Sequence, residues 1–196
     1  MKNILLIILP LLLIVGCSKD RVYTEYFDSG KKRYEGTYKD GKLDGLYTKW
    51  YENGQKKAEG TYKDGKEDGK WTSWYDNGQK KTEGTYKDGK FDGLWAGWNE
   101  NGQKYSEGTY KEGERVGLWT DWYSNGEKSS EGTYLLREDT GKDRELDGLW
   151  TSWYGNGQKN SEVTYKDGKL ISEECWEEDG NGCECESGEK WWKRCK

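Results

Sequence analysis

The stretch that decides the fold reads Glu83-Gly84-Thr85-Tyr86-Lys87-Asp88-Gly89-Lys90-Phe91-Asp92-Gly93-Leu94-Trp95-Ala96-Gly97-Trp98-Asn99-Glu100-Asn101-Gly102-Gln103-Lys104-Tyr105-Ser106. The same wording restarts at Glu35, Glu59, Glu83, Glu107, Glu131 and Glu162, with four steps of 24 residues and a fifth of 31. A fixed period of this size marks a repeat architecture, in which each unit packs mainly on its neighbours. Each unit holds two turn signals, Lys-Asp-Gly-Lys-x-Asp-Gly (Lys63 to Gly69) and Asn-Gly (Asn77-Gly78). Asp-Gly and Asn-Gly both suit turn positions of positive φ and are strong hairpin signals. Between them lie short segments such as Trp71 to Asp76 and Thr82 to Lys87. Thr, Trp and Tyr favour strands, and the lengths are those of strands. The prediction is an all-β chain: one elongated antiparallel sheet of stacked β-hairpins, about 12 strands and about 60 Å long at ~4.8 Å per strand.

Side chains alternate between sheet faces, so the repeat generates aromatic rows. One row is Tyr23, Tyr47, Trp71, Trp95, Trp119, Trp150. A second, on the opposite face, is Tyr26, Trp50, Trp74, Trp98, Trp122, Trp153. A third is Phe27, Tyr51, Tyr75, Tyr123, Tyr154, broken at Asn99. The other strand contributes Tyr38, Tyr62, Tyr86, Tyr110, Tyr134 and Tyr165, each two residues after a Gly except Tyr165, which follows Val163. A ring from the adjacent strand can lie over that bare Gly.

Around this array the chain divides into four parts. Residues 1–16 carry Lys2 and an apolar run from Ile4 to Val15, too short to span a bilayer comfortably and suited to a signal sequence. Leu13-Ile14-Val15-Gly16-Cys17 resembles the lipobox of bacterial lipoproteins, which implies cleavage before Cys17 and its lipidation. Ser18 after the Cys, by resemblance to enteric lipoproteins, implies the outer membrane. Residues 17–21 are then a short tether, 22–168 the repeat array, and 169–196 a Cys-rich cap over an otherwise open sheet edge. Seven extra residues enlarge one Lys-Asp-Gly loop within 135–147, which reads as drift in a solvated loop or as a binding edge.

Without residues 1–16 the chain holds 31 Lys+Arg against 37 Asp+Glu, interspersed in sign. A basic footprint for nucleic acid is absent. The scarce aliphatics and 35% charge would suggest disorder, but 29 aromatics in strict register oppose it. Cys175, Cys183, Cys185 and Cys195 fall in the last 22 residues. In an exported chain they imply two disulfides. Cys175–Cys185 across a short hairpin, with Cys183–Cys195, is one of three connectivities; zinc is the competing reading.

The chain has no His, which removes Ser-His-Asp and Cys-His catalysis. A catalytic site needs one asymmetric constellation, and this array repeats the same side chains, so no enzyme and no cofactor are expected. Asp64 to Gly69 partly resembles a calcium loop, but Lys66 stands where an oxygen ligand belongs; no metal is expected there.

The recurring unit resembles the MORN repeat variant of bacteria over Tyr23 to Gly168, departing at Asn99, Val116, the insertion and the tail. The resemblance implies an elongated sheet of hairpins and no shared catalytic motif. Its relatives include YwqK-type proteins classed as antitoxins, and scaffolds that hold proteins or membranes. Three functions follow as expectations: a membrane-anchored protein-interaction scaffold, an antitoxin or immunity-like protein with a toxin partner, and glycan or cell-wall binding. The candidate binding residues are Trp50, Trp74, Trp98, Trp122 and Trp153, whose exposure separates binding from packing.

Overall fold

In the computed structural model, residues 20–135, 145–185 and 195 are described. They form one antiparallel sheet of fifteen strands. The strands are β1 (Arg21–Tyr26), β2 (Lys32–Lys39), β3 (Lys42–Trp50), β4 (Lys56–Lys63), β5 (Lys66–Glu67), β6 (Gly69–Trp74), β7 (Lys80–Lys87) and β8 (Lys90–Trp98). They continue as β9 (Lys104–Lys111), β10 (Glu114–Trp122), β11 (Lys128–Leu135), β12 (Glu145–Trp153), β13 (Lys159–Lys166), β14 (Lys169–Trp176) and β15 (Gly182–Cys183). Spatial order follows chain order, with β5 pairing β4 off the main path.

The expected count of about 12 strands is corrected to fifteen. One extra comes from a split: β5 and β6 together match the single strand β3, and Asp68 interrupts them by donating its N–H to the Thr61 carbonyl (2.9 Å). The other two come from the tail. The tail, expected as a Cys-rich cap, continues the hairpin pattern past Tyr165. β14 pairs β13 along its length, and the turn after Trp176 repeats the earlier ones, with Gly180 N–H on the Glu177 carbonyl (2.9 Å).

The two turn types differ. In the Asp-Gly turns both central residues have positive φ, for example Asp64 at 51° and Gly65 at 84°, as a type I′ hairpin requires. Glu112 adopts 51° in the same role. In the Asn-Gly turns only the Gly does so, for example Gly78 at 84°. This corrects the expectation that Asn takes positive φ. Its side chain is used instead: Asn77 Oδ1 accepts the Gln79 N–H (2.8 Å) and Nδ2 donates to the Glu100 carbonyl of the next turn (3.1 Å).

Each Trp-bearing strand faces its following Tyr-bearing strand through a bulge just before the final Trp, as at Ser73/Trp74 and Gly97/Trp98. The extra residue restores side-chain parity: Lys80 and Glu83, three apart, lie on one face and pair at 2.9 Å. The same Lys-x-x-Glu pair recurs at Lys32/Glu35, Lys56/Glu59, Lys104/Glu107, Lys128/Glu131 and Lys159/Glu162.

Candidate interaction surface

The first aromatic row and the Gly-x-Tyr row share one face. Tyr62 packs edge-on against both Tyr47 and Trp71, with ring centroids 5.4 and 5.1 Å away. Tyr110 packs likewise on Trp119 (5.0 Å) and Tyr134 on Trp150 (4.8 Å). The rings do cover the glycines. A Cβ on Gly60 would lie 2.2 Å from Trp71, on Gly108 2.2 Å from Trp119, and on Gly132 2.0 Å from Trp150. Burial pushes the Tyr62 phenol up to about 12, helped by the carboxylate of Glu67 beside it. At Val163 the rule inverts. Its partner across β14 is Glu173, not an aromatic, so no ring arrives and the Val side chain fills the gap, fully buried beside Trp150 and Tyr165.

The third row serves joints between repeats. The phenols of Tyr51, Tyr75, Tyr123 and Tyr154 donate to the carbonyls of Trp74, Trp98, Trp153 and Trp176, at 2.7–2.9 Å. At Asn99 the phenol is missing, and the Asn101 amide turns aside to Gln103 Oε1 (2.8 Å). The loop Asp has a related use. Asp44, Asp92 and Asp147 accept the N–H of residues 64, 112 and 167 in the next Asp-Gly turn, at 3.0–3.2 Å. Val116 has no carboxylate to offer.

The opposite face carries Trp50, Trp74, Trp98, Trp122 and Trp153. All five are half-buried. A lysine lies against each ring: Lys32 on Trp50, Lys56 on Trp74, Lys80 on Trp98, Lys104 on Trp122 and Lys128 on Trp153, at 5.0–5.9 Å. Lys159 continues the ladder onto Trp176 (5.7 Å). Each of those lysines also holds its Glu three residues on, so the ladder alternates ring, cation and anion. The structure therefore brings the five residues together in one row but occupies one flank of each ring with a cation. This row is not the open one.

The open row is aliphatic. Val22, Leu46, Leu94, Leu118 and Leu149 expose 66%, 56%, 76%, 58% and 52% of their surface on the Lys–Trp face. Sequence reading did not single them out. The recurring Gly-Leu-Trp wording (Gly93-Leu94-Trp95) was the signal that could have found them. Their cross-strand partners are threonines, Thr61 for Leu46 and Thr109 for Leu94, which offer little cover. Between Leu94 and Leu118 the face dips into a recess over Ala96, edged by Trp98, Lys70, Lys104 and Glu107. Other repeats have Thr at that place, and Thr24, Thr48 and Thr120 donate to Glu35, Glu59 and Glu131 at 3.0–3.4 Å. Ala96 cannot, and Glu107 is 44% exposed, the most open of the six paired glutamates. An aliphatic floor with opposite charges at its margin suits a protein surface better than a nucleic acid or a small polar metabolite.

The tail lies at the far edge, where β15 pairs with Cys175 and Trp176 of β14. Cys175 pairs with Cys185 and Cys183 with Cys195, with Cα atoms 5.3 and 5.6 Å apart. Among the described residues no cluster could hold a metal ion. Cys17, the proposed lipid site, lies outside the described residues, as do residues 136–144 of the insertion and Trp191 and Trp192.

Compared with known families, the chain matches the model described as MORN repeat variant over residues 22–40, 43–64, 67–88, 91–112, 115–135 and 146–167. No curated protein matches it. In this frame a unit is a Trp-type strand followed by a Tyr-type strand, and residues 22–40 are the first repeat.

Proposed function

Because the chain belongs to the MORN repeat variant family, we propose that it is a non-enzymatic scaffold that receives a protein partner on its Leu and Lys–Trp face. MORN repeats generally serve as protein- or membrane-interaction motifs. The observation that carries this reading is the recess over Ala96, where Leu94 (76% exposed) and Leu118 (58%) stand open beside Lys104 and Glu107. A row of aliphatics left in water on a single-layer sheet is costly unless something covers it. The anchoring belongs to the same proposal: Cys17 carries lipid and holds the array beside a bacterial membrane, the outer one by the Ser18 resemblance. A toxin partner would be a special case of the same surface. The Lys-covered tryptophans give a sugar ring little free face to stack on.

The test is retention of envelope proteins by the tagged full chain against a Leu94→Glu/Leu118→Glu variant. We expect a partner held by the native chain to fall at least ~10-fold with the double change, while far-ultraviolet circular dichroism stays the same. An unchanged set of partners at unchanged yield would refute the surface. Loss of labelled palmitate on Cys17→Ser tests the anchor separately.

A further inference from the structure

The two ends of the sheet are unlike. At the carboxyl end the two-residue β15 pairs with Cys175 and Trp176 of β14, and two disulfides hold that corner, while the rest of the outer edge of β14 has no strand beside it among the described residues. At the amino end β1 is six residues long and pairs only with β2. Its outer edge is a row of backbone donors and acceptors with no strand beside it among the described residues. Natural proteins protect such an edge with lysine, proline, shortness or a cover. Among the described residues β1 has no lysine, no proline and no cover, and its charges are Arg21 and Glu25. It also exposes apolar surface: Val22 is 66% exposed, Tyr23 51% and Tyr26 56%, the last two far more than their half-buried counterparts Tyr47 and Trp50 in the next repeat.

We propose that β1 pairs with β1 of a second copy, antiparallel and in the register that sets Tyr23 opposite itself. The strand is self-complementary about that residue. It reads Arg21-Val22-Tyr23-Thr24-Glu25. Centring on Tyr23 places Arg21 of each copy opposite Glu25 of the other, and Val22 opposite Thr24. Opposite charges, β-branched pairs and paired aromatics are the combinations that stabilise neighbouring strands. A register shifted by two residues either way loses both Arg21–Glu25 pairs and the Val22–Thr24 match. Glu25 is already held by Arg33 of its own copy (2.8 Å), so Arg21 of the second copy completes an Arg–Glu–Arg row. The operation is a two-fold axis normal to the sheet, which keeps each aromatic face continuous across the junction. The contact is isologous and closes after two copies. Both remaining ends are then the disulfide-held ones. The junction shares Val22 with the aliphatic row but not Leu94 or Leu118, so the two tests can fail independently.

The experiment is sedimentation equilibrium of the full chain over a concentration series. The native chain is expected to be a dimer. Arg21→Glu sets Glu opposite Glu25 and should raise the dimer dissociation constant at least ~10-fold; adding Glu25→Arg to it should recover most of that loss. The register has its own readout. Directly opposed strand residues lie ~4.5–5.5 Å apart at Cα, within disulfide reach. A Tyr23→Cys chain should therefore cross-link to a dimer under mild oxidation, faster than a Val22→Cys chain and than the native chain with its own cysteines. A native chain that stays monomeric at all concentrations would overturn the proposal. So would a dimer indifferent to Arg21→Glu, or equal cross-linking from positions 22 and 23.

Discussion

Gly108 has no side chain because Trp119 occupies the place where one would be. A methyl there would sit 2.2 Å from the indole, and Trp119 is 1% exposed with no room to retreat. Gly108→Ala should therefore destabilise the fold by roughly 1–3 kcal/mol, the usual cost of overfilling a packed site. Gly155→Ala, where nothing lies within 4 Å, should be close to neutral. Val163→Gly is the converse: it opens the gap that no ring fills and should cost about 2–4 kcal/mol. Urea denaturation of the three variants checks all of this. The pairing of Gly with a cross-strand ring was legible from spacing alone. Val163 was not, because its reason is the missing aromatic at Glu173 on the following strand, and that register is set by the one-residue irregularity between Thr164 and Tyr165.

At the scale of the element, the hairpin joints rest on phenols and amides that sequence reading counted as an aromatic row and a turn signal. Tyr75 reaches the Trp98 carbonyl, whereas Asn99 cannot reach the corresponding Trp122. Tyr75→Phe should lose about 1 kcal/mol, and Asn99→Tyr should gain about 0.5–1.5 kcal/mol by restoring the repeat's own bond. Thermal midpoints moving down and up respectively would confirm the pair; Asn99→Tyr leaving the midpoint unchanged would show that the joint needs no phenol. The hairpin itself was legible because Asp-Gly and Asn-Gly punctuate segments of strand length. The division of labour between the two turns was hidden. It depends on Asn77 spending its side chain on Gln79 and Glu100 while leaving positive φ to Gly78.

For the whole molecule, each strand on the main path pairs with its neighbours in chain order among the described residues. A chain lacking residues 84–107, one 24-residue period, should still fold and should lose about 10 Å of sheet length at two strand spacings. Small-angle scattering would show the shortened maximum dimension; collapse or aggregation of the shortened chain would show that the units are not interchangeable. The period, sheet and strand order were readable from 24-residue self-similarity. The tryptophans stood out in the sequence as candidate binding residues because large rings recur in a row, whereas the exposed leucines did not. What the sequence pattern could not convey is that Lys80 and its equivalents fold over those rings, while Leu94 stands opposite Thr109 and is 76% exposed.

Except at Asn99 and Asn101, the phenols and amides of one turn reach forward, from Tyr51 and Asn53 to the turn after Trp74, and so on to Trp176 and Glu178. There the turn offers Glu177 in place of the donor Tyr. A chain leaving the ribosome amino end first thus carries waiting donors at its growing margin. Each newly emerged segment brings the carbonyls that satisfy them, and the last segment brings no further demand. Synthesis and zippering can keep the same direction, with the cysteines arriving last to lock the finished end.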